Sequence, residues 1–385
     1  MKVLYYYWTE NCADDMIATL IRLGHQVKKV SFEYKDYDND PVFEDKLGKE
    51  LRNGGYDCIF SFDFFPIISK EAERLKVPYI SWIYDMPHST LFSPQLKNRM
   101  NYIFAFDKIQ CEMLKSKGHP CHIYHMPLPV NTTRIVNMLG EPPMHLGESF
   151  DVSFVGSLYD KCLYNQISYL PEYVRGYLDG IIEAQQKVYG YNFVPEMLNE
   201  DIVSEIKKYV NMEVPERYDM TYKDLFEDII QAKITSAERI RLLNSIAEYF
   251  KLTLFSGSDR RFVQKAQFGG TVDYVNEMPA VFRTSKINLN ITLRSIVSGI
   301  PLRAMDIMGA GGFLLSNYQP ELAELFVDGE DCVMFGSEED MLGKIEYYLT
   351  HDKEREEIAC NGFKKVQERY SYEVLVGEML NIVFI

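Results

Sequence analysis

Short β-rich runs alternate with amphipathic helical patterns from the first residues onward, and that alternation restricts the fold of this chain more than any other feature. Strands separated by helices pair in parallel, because a parallel pair needs a long crossover and a helix is its usual form. Residues 2–8 read as the first strand, 12–23 as a helix closed by Gly24, and 26–32 as the second strand. A helix over 43–52 stops at Asn53-Gly54-Gly55. Further strands are predicted at 58–62, 78–83, 103–106 and 122–125, with helices at 67–76 and 108–117 between some of them. Residues 1–140 therefore read as a Rossmann-like α/β domain.

Residues 131–149 carry Gly140, Pro142, Pro143 and Gly147 with little periodicity, which places a linker there. A new strand opens at 151–155 and ends in Gly156-Ser157. From about 160 to 250 the pattern is almost purely helical and rich in tyrosine, the mark of an α-helical insertion. Strands resume at 252–255, 271–275, 287–291, 312–315 and 332–335, so a second parallel sheet is predicted within a second domain over 150–370. The final helical stretch, 371–385, is apolar enough to pack back on another domain.

With a net charge of −15 the chain repels a phosphate backbone, which argues against nucleic acid as a partner. No apolar run of about 18 residues and no signal-peptide core appear, so the expected location is the cytoplasm, with no transmembrane segment. Cys12, Cys58, Cys111, Cys121, Cys162, Cys332 and Cys360 are scattered and never form a CxxC, so neither disulfides nor a thiolate zinc site is indicated. Three histidines and a cysteine fall between Gly118 and His125, but His122 and His125 point to opposite faces of a strand, so no metal site is assigned.

The most informative stretch is 298–315. It offers Ser298 as an N-cap, Pro301 in a first turn, one short helix, then glycines before a buried strand. Free N–H groups and a positive dipole end at such a helix suit a diphosphate, with Ser298 and Gly299 lending backbone and Arg303 a fixed cationic fork. Asp306, one turn further, can accept two hydrogen bonds from a ribose diol. That is nucleotide recognition without a metal. The alternative is a helix start with ordinary solvated charges.

Through these residues the sequence resembles the spore-maturation-protein-like (CgeB-like) GT-B glycosyltransferases. The resemblance runs through Tyr274-Val275-Asn276-Glu277-Met278-Pro279, residues 285–290, the stretch above and Ser316-Asn317-Tyr318-Gln319-Pro320-Glu321-Leu322, and continues into 324–326, 354–359 and Gly362. It is thinner in the first half, at 81–85 and 125–131. It implies two Rossmann-like domains facing across a cleft, a nucleotide sugar (UDP-linked by expectation) on the second, and an acceptor on the first. It also implies metal-independent transfer with no cofactor, and a last helix that crosses to the first domain. The first domain lacks a GxGxxG after its first strand, consistent with an acceptor role. Asp306 corresponds to the acidic residue that binds ribose in many such enzymes. The glutamate that retaining relatives carry eight positions earlier is here Ser298, so stereochemistry stays open.

Glycosyl transfer requires neutralising a departing diphosphate and, for inversion, deprotonating the acceptor. For the first task the candidates are Arg303 with Ser298 and Gly299, helped by Arg294 or by Arg260, whose loop with Arg261 reads first as solvated surface. Asp85, at the end of an apolar strand, is the candidate base, with Glu10 and His88 on similar loops as surface or supporting residues. His125 either contacts the donor sugar or is a hydrogen-bonded core histidine. Gly156 and Ser157 let backbone approach phosphate or sugar, or form a plain turn. Tyr274 lies by the base or packs a core, and Glu321 binds donor hydroxyls or steadies a helix start. Acceptors considered are protein, glycan or small molecule, and the insertion binds acceptor or makes a homo-oligomer. Competing readings are a GT-B-shaped nucleotide-sugar epimerase and a non-catalytic spore or surface structural protein.

Overall fold

The structure is a computed structural model describing residues 1–142, 147 and 149–384. It contains two compact units: Met1–Pro129 with Val214–Met220 and Tyr370–Ile385, and Val130–Glu213 with Thr221–Arg369.

In the first unit six strands, β1 (Lys2–Tyr6), β2 (Gln26–Val30), β3 (Cys58–Phe62), β4 (Tyr79–Ile83), β5 (Asn101–Ala105) and β6 (His122–His125), form one parallel sheet ordered β2-β1-β3-β4-β5-β6. Helices α1 (Ala13–Arg22), α2 (Pro41–Gly54), α3 (Pro66–Leu75) and α4 (Lys108–Ser116) make crossovers. β3 and β4 are buried along their whole length, and a strand covered on both faces reads as a continuous apolar run. Asp40 starts α2, its carboxylate accepting the N–H of Val42 (3.0 Å) and Phe43 (3.1 Å) ahead of Pro41 in the first turn. Leu4, Phe43, Leu47, Ile59, Ile68 and Ile103 share the core. The first strand is shorter than the predicted 2–8, because the chain turns at Thr9, whose φ is +84°.

In the second unit, residues expected to be linker instead begin a helix, α5 (Thr132–Leu139), capped by Asn131 accepting the Arg134 N–H at 2.8 Å. The expected linker residues 143–146 and 148, Pro143 among them, lie outside the described residues. β7 (Phe150–Val155) then leads into α6 (Glu172–Gln185), α7 (Val194–Met197), α8 (Glu200–Lys207) and the long α9 (Tyr222–Tyr249). These helices carry their own core of Val174, Leu178, Ile181, Phe226, Ile230 and Ile234.

The sheet continues through β8 (Leu252–Phe255), β9 (Gln267–Gly270), α10 (Met278–Thr284), β10 (Ser285–Asn290), α11 (Leu302–Gly309), β11 (Leu314–Asn317), α12 (Pro320–Leu325) and β12 (Val333–Phe335). α13 (Glu338–Tyr348) and α14 (Asp352–Arg369) close the unit. The parallel order is β12-β11-β10-β7-β8-β9. The strand predicted at 271–275 is displaced to β9. Gly270, at φ +77°, ends it, and the Asp273 carboxylate accepts the N–H of Val275 (3.1 Å) and Asn276 (2.8 Å), making 273–276 a turn. The last helix, α15 (Tyr372–Phe384), belongs to the first unit, where Arg22 of α1 bonds Glu373 at 2.5 Å.

Candidate functional site

In the second unit the strand order reverses between β7 and β10, and open α/β sheets bind ligands beyond the carboxyl ends of the strands at such a reversal. Gly156 and Ser157 follow β7 there, and Ile291 and Thr292 follow β10. Arg303, the second residue of α11, reaches back over Gly156, where an added Cβ would sit 2.6 Å from Nη2 and 2.8 Å from Cζ. Its guanidinium covers the Phe154 ring at 5.6 Å.

A second guanidinium, from Arg239 of α9, lies 5.4 Å from the same ring and 5.2 Å from that of Tyr159. Arg239 is buried, donating to Ile291 O through Nε (3.1 Å) and Nη2 (2.6 Å) and to Ser157 O through Nη1 (2.7 Å). One side chain therefore ties together the two loops that flank the reversal. Neither arginine has a carboxylate ion-pair partner among the described residues. Burial and then the Arg303 charge push the Arg239 proton affinity down to about 9, and burial holds Arg303 below its ordinary range although part of its surface stays open. Two adjacent cations withdrawn from water are costly unless an anion joins them.

α11 starts after Pro301 with no side-chain cap on its first N–H groups. Asp306, in the next turn, is buried and accepts the Tyr274 hydroxyl at 3.3 Å. Beside Gly156 opens a cavity of about 470 Å³, bounded by Ser157, Tyr159, Lys161, Ser256, Ser258 and Thr271. That is the size of an ordinary small-molecule site. The structure thus gathers Gly156, Ser157, Tyr274, Arg303 and Asp306 around the ends of β7, β9 and β10.

Other expected site residues fall elsewhere. Ser298 is not the helix cap. Its hydroxyl donates to Glu321 at 2.7 Å while the Glu321 N–H donates to Ser298 O at 3.0 Å, so the two are brought together at the start of α12, and Gln319 Nε2 holds Gly299 O at 3.2 Å. Arg294, expected to meet phosphate, is engaged with Glu238 through Nε and Nη2 at 2.7 Å each and with Val188 O at 2.7 Å. Its charge is already neutralised, and Arg239 stands where a second cation was sought. Arg239 left a trace in the sequence: it interrupts the buried stripe of α9 between Thr235 and Leu242-Leu243. Arg260 is exposed.

In the first unit the order reverses between β1 and β3. Glu10 is buried just past β1, its carboxylate accepting the Tyr5 hydroxyl and the Trp8 N–H (2.9 Å), and burial raises its proton affinity. Asp63 follows β3 and is 2% exposed. Asp85, two residues past β4, is exposed. Burial by its neighbours and then the Asp63 charge push its carboxyl up to about 6, an effect the open surface screens. His88 Nε2 accepts the Phe64 N–H at 3.1 Å, and burial pushes the ring down to about 4, so it is neutral at neutral pH. His125 ends β6, two strands from β4 and so roughly 10 Å from the Asp85 strand; the sheet does not bring these two expected catalytic residues together.

Residues 235–381 match the family model described as glycosyl transferase-like. No curated protein matches the chain. Among solved structures, sucrose-phosphate synthase of Thermosynechococcus elongatus superposes with TM-score 0.57 at 11% identity over 99% of this chain and 98% of that one. A glycosyltransferase of Rickettsia africae gives 0.54 at 11% over 99% and 97%, and Anabaena HepE in complex with UDP and glucose gives 0.54 at 10% over 99% and 100%. At these identities the likeness concerns the fold, which is GT-B. No helix among the described residues is long and apolar enough to cross a membrane.

Proposed function

We propose that this chain, GT-B in fold and carrying a glycosyltransferase domain over residues 235–381, moves a sugar from a nucleoside-diphosphate donor held by its second unit to a hydroxyl acceptor activated by its first. The carrying observation is the pair of guanidinium groups, Arg239 and Arg303, stacked on Phe154 at the sheet reversal without a carboxylate ion-pair partner among the described residues. Arg303 and the opening N–H groups of α11 bind the diphosphate, and Arg239 fixes the two loops and adds positive charge. Asp306 and Tyr274 take the ribose and base. Ser298 and Glu321, bonded to each other at the start of α12 with Gly299 nearby, are the residues offered to the donor sugar. This reading uses no metal, since the arginines supply the charge that meets the leaving group.

In the transfer step the acceptor O–H proton passes to the Asp85 carboxylate, and the freed oxygen pair forms the bond to the anomeric carbon. The bond from that carbon to the diphosphate breaks with its electrons going to phosphate oxygen, and Arg303 offsets the negative charge that forms there. HepE, solved with UDP-glucose, makes UDP-linked sugars the first donors to try. Placement among the spore-maturation-protein-like enzymes belongs to the same proposal and is supported by the stretches around Tyr274 and Glu321.

Thermal-shift screening against UDP, GDP, dTDP and their sugars tests it. A bound nucleotide at a hundredfold excess over Kd raises Tm by about 3 to 5 °C, and Asp306→Ala removes the shift. No shift with any of these nucleotides would overturn the reading. Gly156→Ala sharpens the test, since its Cβ collides with the Arg303 guanidinium at a backbone φ of +148°. Nucleotide affinity is expected to fall at least about tenfold, or about 1.4 kcal/mol, as Arg303 is pushed aside.

A further inference from the structure

The first unit holds a buried carboxylate for which donor binding has no use. Asp63 continues the sheet, its N–H bonding Trp82 O at 2.8 Å, and then turns at φ +57°. Its Oδ1 accepts two consecutive peptide N–H groups of the loop after β4, those of Tyr84 (3.1 Å) and Asp85 (3.3 Å). Its Oδ2 makes no hydrogen bond among the described residues, and no lysine or arginine pairs with it there.

We infer that Asp63 is a positioning residue for Asp85: it fixes the peptide that carries Asp85 and places a second carboxylate beside the one that takes the acceptor's proton. This rests on Asp85 being the base. The clamp is specific, because one oxygen satisfies both N–H groups of the segment and so sets where the Asp85 side chain leaves the backbone. Among the described residues no cation acts on the Asp63 charge. β1 and its loop contribute Tyr5 and Glu10, the start of α1 contributes Cys12, and β4 and its loop contribute Tyr79, Tyr84 and His88. Among the described residues of that neighbourhood the potential cation is His88, and burial holds it neutral.

Burial, opposed by the two N–H groups and reinforced by Glu10, raises the Asp63 carboxyl above its ordinary range. Two carboxylates in one site resist ionising together, and the Asp63 charge is the second cause, after burial, that raises Asp85. Above its ordinary range Asp85 carries a proton at mildly acid pH and is a free base above about 6. Activity that needs the ionised base therefore rises with pH through that value.

Carbon-13 carboxyl titration of the full chain labelled at aspartate decides the inference, whichever donor the enzyme takes. Asp63→Asn keeps an oxygen for the two N–H groups and loses the charge, so the Asp85 midpoint is expected to fall by about one pH unit. Asp85→Asn, at an exposed position, should lower the Asp63 midpoint by the same amount, because coupling between two sites is reciprocal. The acid limb of UDP release from UDP-glucose should move down equally in Asp63→Asn, which a purely structural clamp would not produce. Midpoints that stay within about 0.3 unit in both variants, or a measurable rate limb that does not move, overturn it. An Asp85→Asn protein that still transfers sugar while the midpoints remain coupled is a different result, one that removes the base assignment and leaves the pairing.

Discussion

Arg303→Met is expected to lower affinity for the stabilising nucleoside diphosphate by about 100-fold, equivalent to about 3 kcal/mol, while the protein stays folded. The substitution keeps an unbranched apolar stem over Phe154 and removes the fork. On the proposed reading Arg303 gives phosphate oxygen two charge-assisted hydrogen bonds in a partly desolvated site, where they are stronger than at a surface, and the variant loses both. Folding itself is not harmed by this change. Arg303 makes no ion pair among the described residues, and its charge is one of the causes that depress Arg239, so its removal relieves repulsion between like charges. Arg303→Lys restores the charge without the planar fork and is expected to recover about half of the lost free energy. Isothermal titration with UDP and with uridine separates the terms: the diphosphate is expected to lose affinity and the nucleoside, proposed to bind through Asp306 and Tyr274, to keep it. A Met variant that binds UDP within about threefold of wild type removes phosphate binding from this arginine.

The same arginine shows what could be read from sequence. Pro301, Arg303, Asp306 and the glycines before a buried strand are local signals, because helix start, side-chain spacing and stop all lie within one short stretch. That Arg239, and neither Arg294 nor Arg260, lies beside Arg303 is not a local signal. Glu238 and Arg239 are adjacent on α9 yet point to different places, one to Arg294 and the other to the carbonyls of Ser157 and Ile291. Only the placement of α9 against the sheet decides which arginine is neutralised. The strand misplaced at 271–275 failed for another reason: Gly269 and Gly270 weaken a strand signal, while Thr271, Val272, Tyr274 and Val275 imitate one, and tertiary packing of Gly269 against the Phe255 ring overrides both tendencies. Asp63 and Asp85 each follow a fully buried apolar strand, so the rule that singled out Asp85 applies equally to Asp63. Burial separates them, and burial of a strand-end residue depends on the neighbouring loops.

Asp85→Asn is expected to reduce transfer by about 10² to 10⁴-fold with nucleotide affinity unchanged, since an amide preserves shape and hydrogen bonding but takes no proton. The size of the loss depends on how the enzyme handles the anomeric centre. If configuration inverts, the acceptor attacks from the face opposite the diphosphate and must give its proton to a protein group, so loss of Asp85 is severe. If configuration is retained with attack on the face the diphosphate leaves, phosphate oxygen itself can take the proton and the loss is small. Ser298 in place of the glutamate of retaining relatives leaves both open in the sequence, and in the structure its hydroxyl is already bound to Glu321. Measuring transfer by wild type and Asp85→Asn alongside the anomeric configuration of the product joins the two questions. Inversion with a loss of at least about a hundredfold supports Asp85 as the base, whereas inversion with full activity in the variant moves the proton to another group, with Glu10 and Asp63, buried just past β1 and β3, the next carboxylates to test.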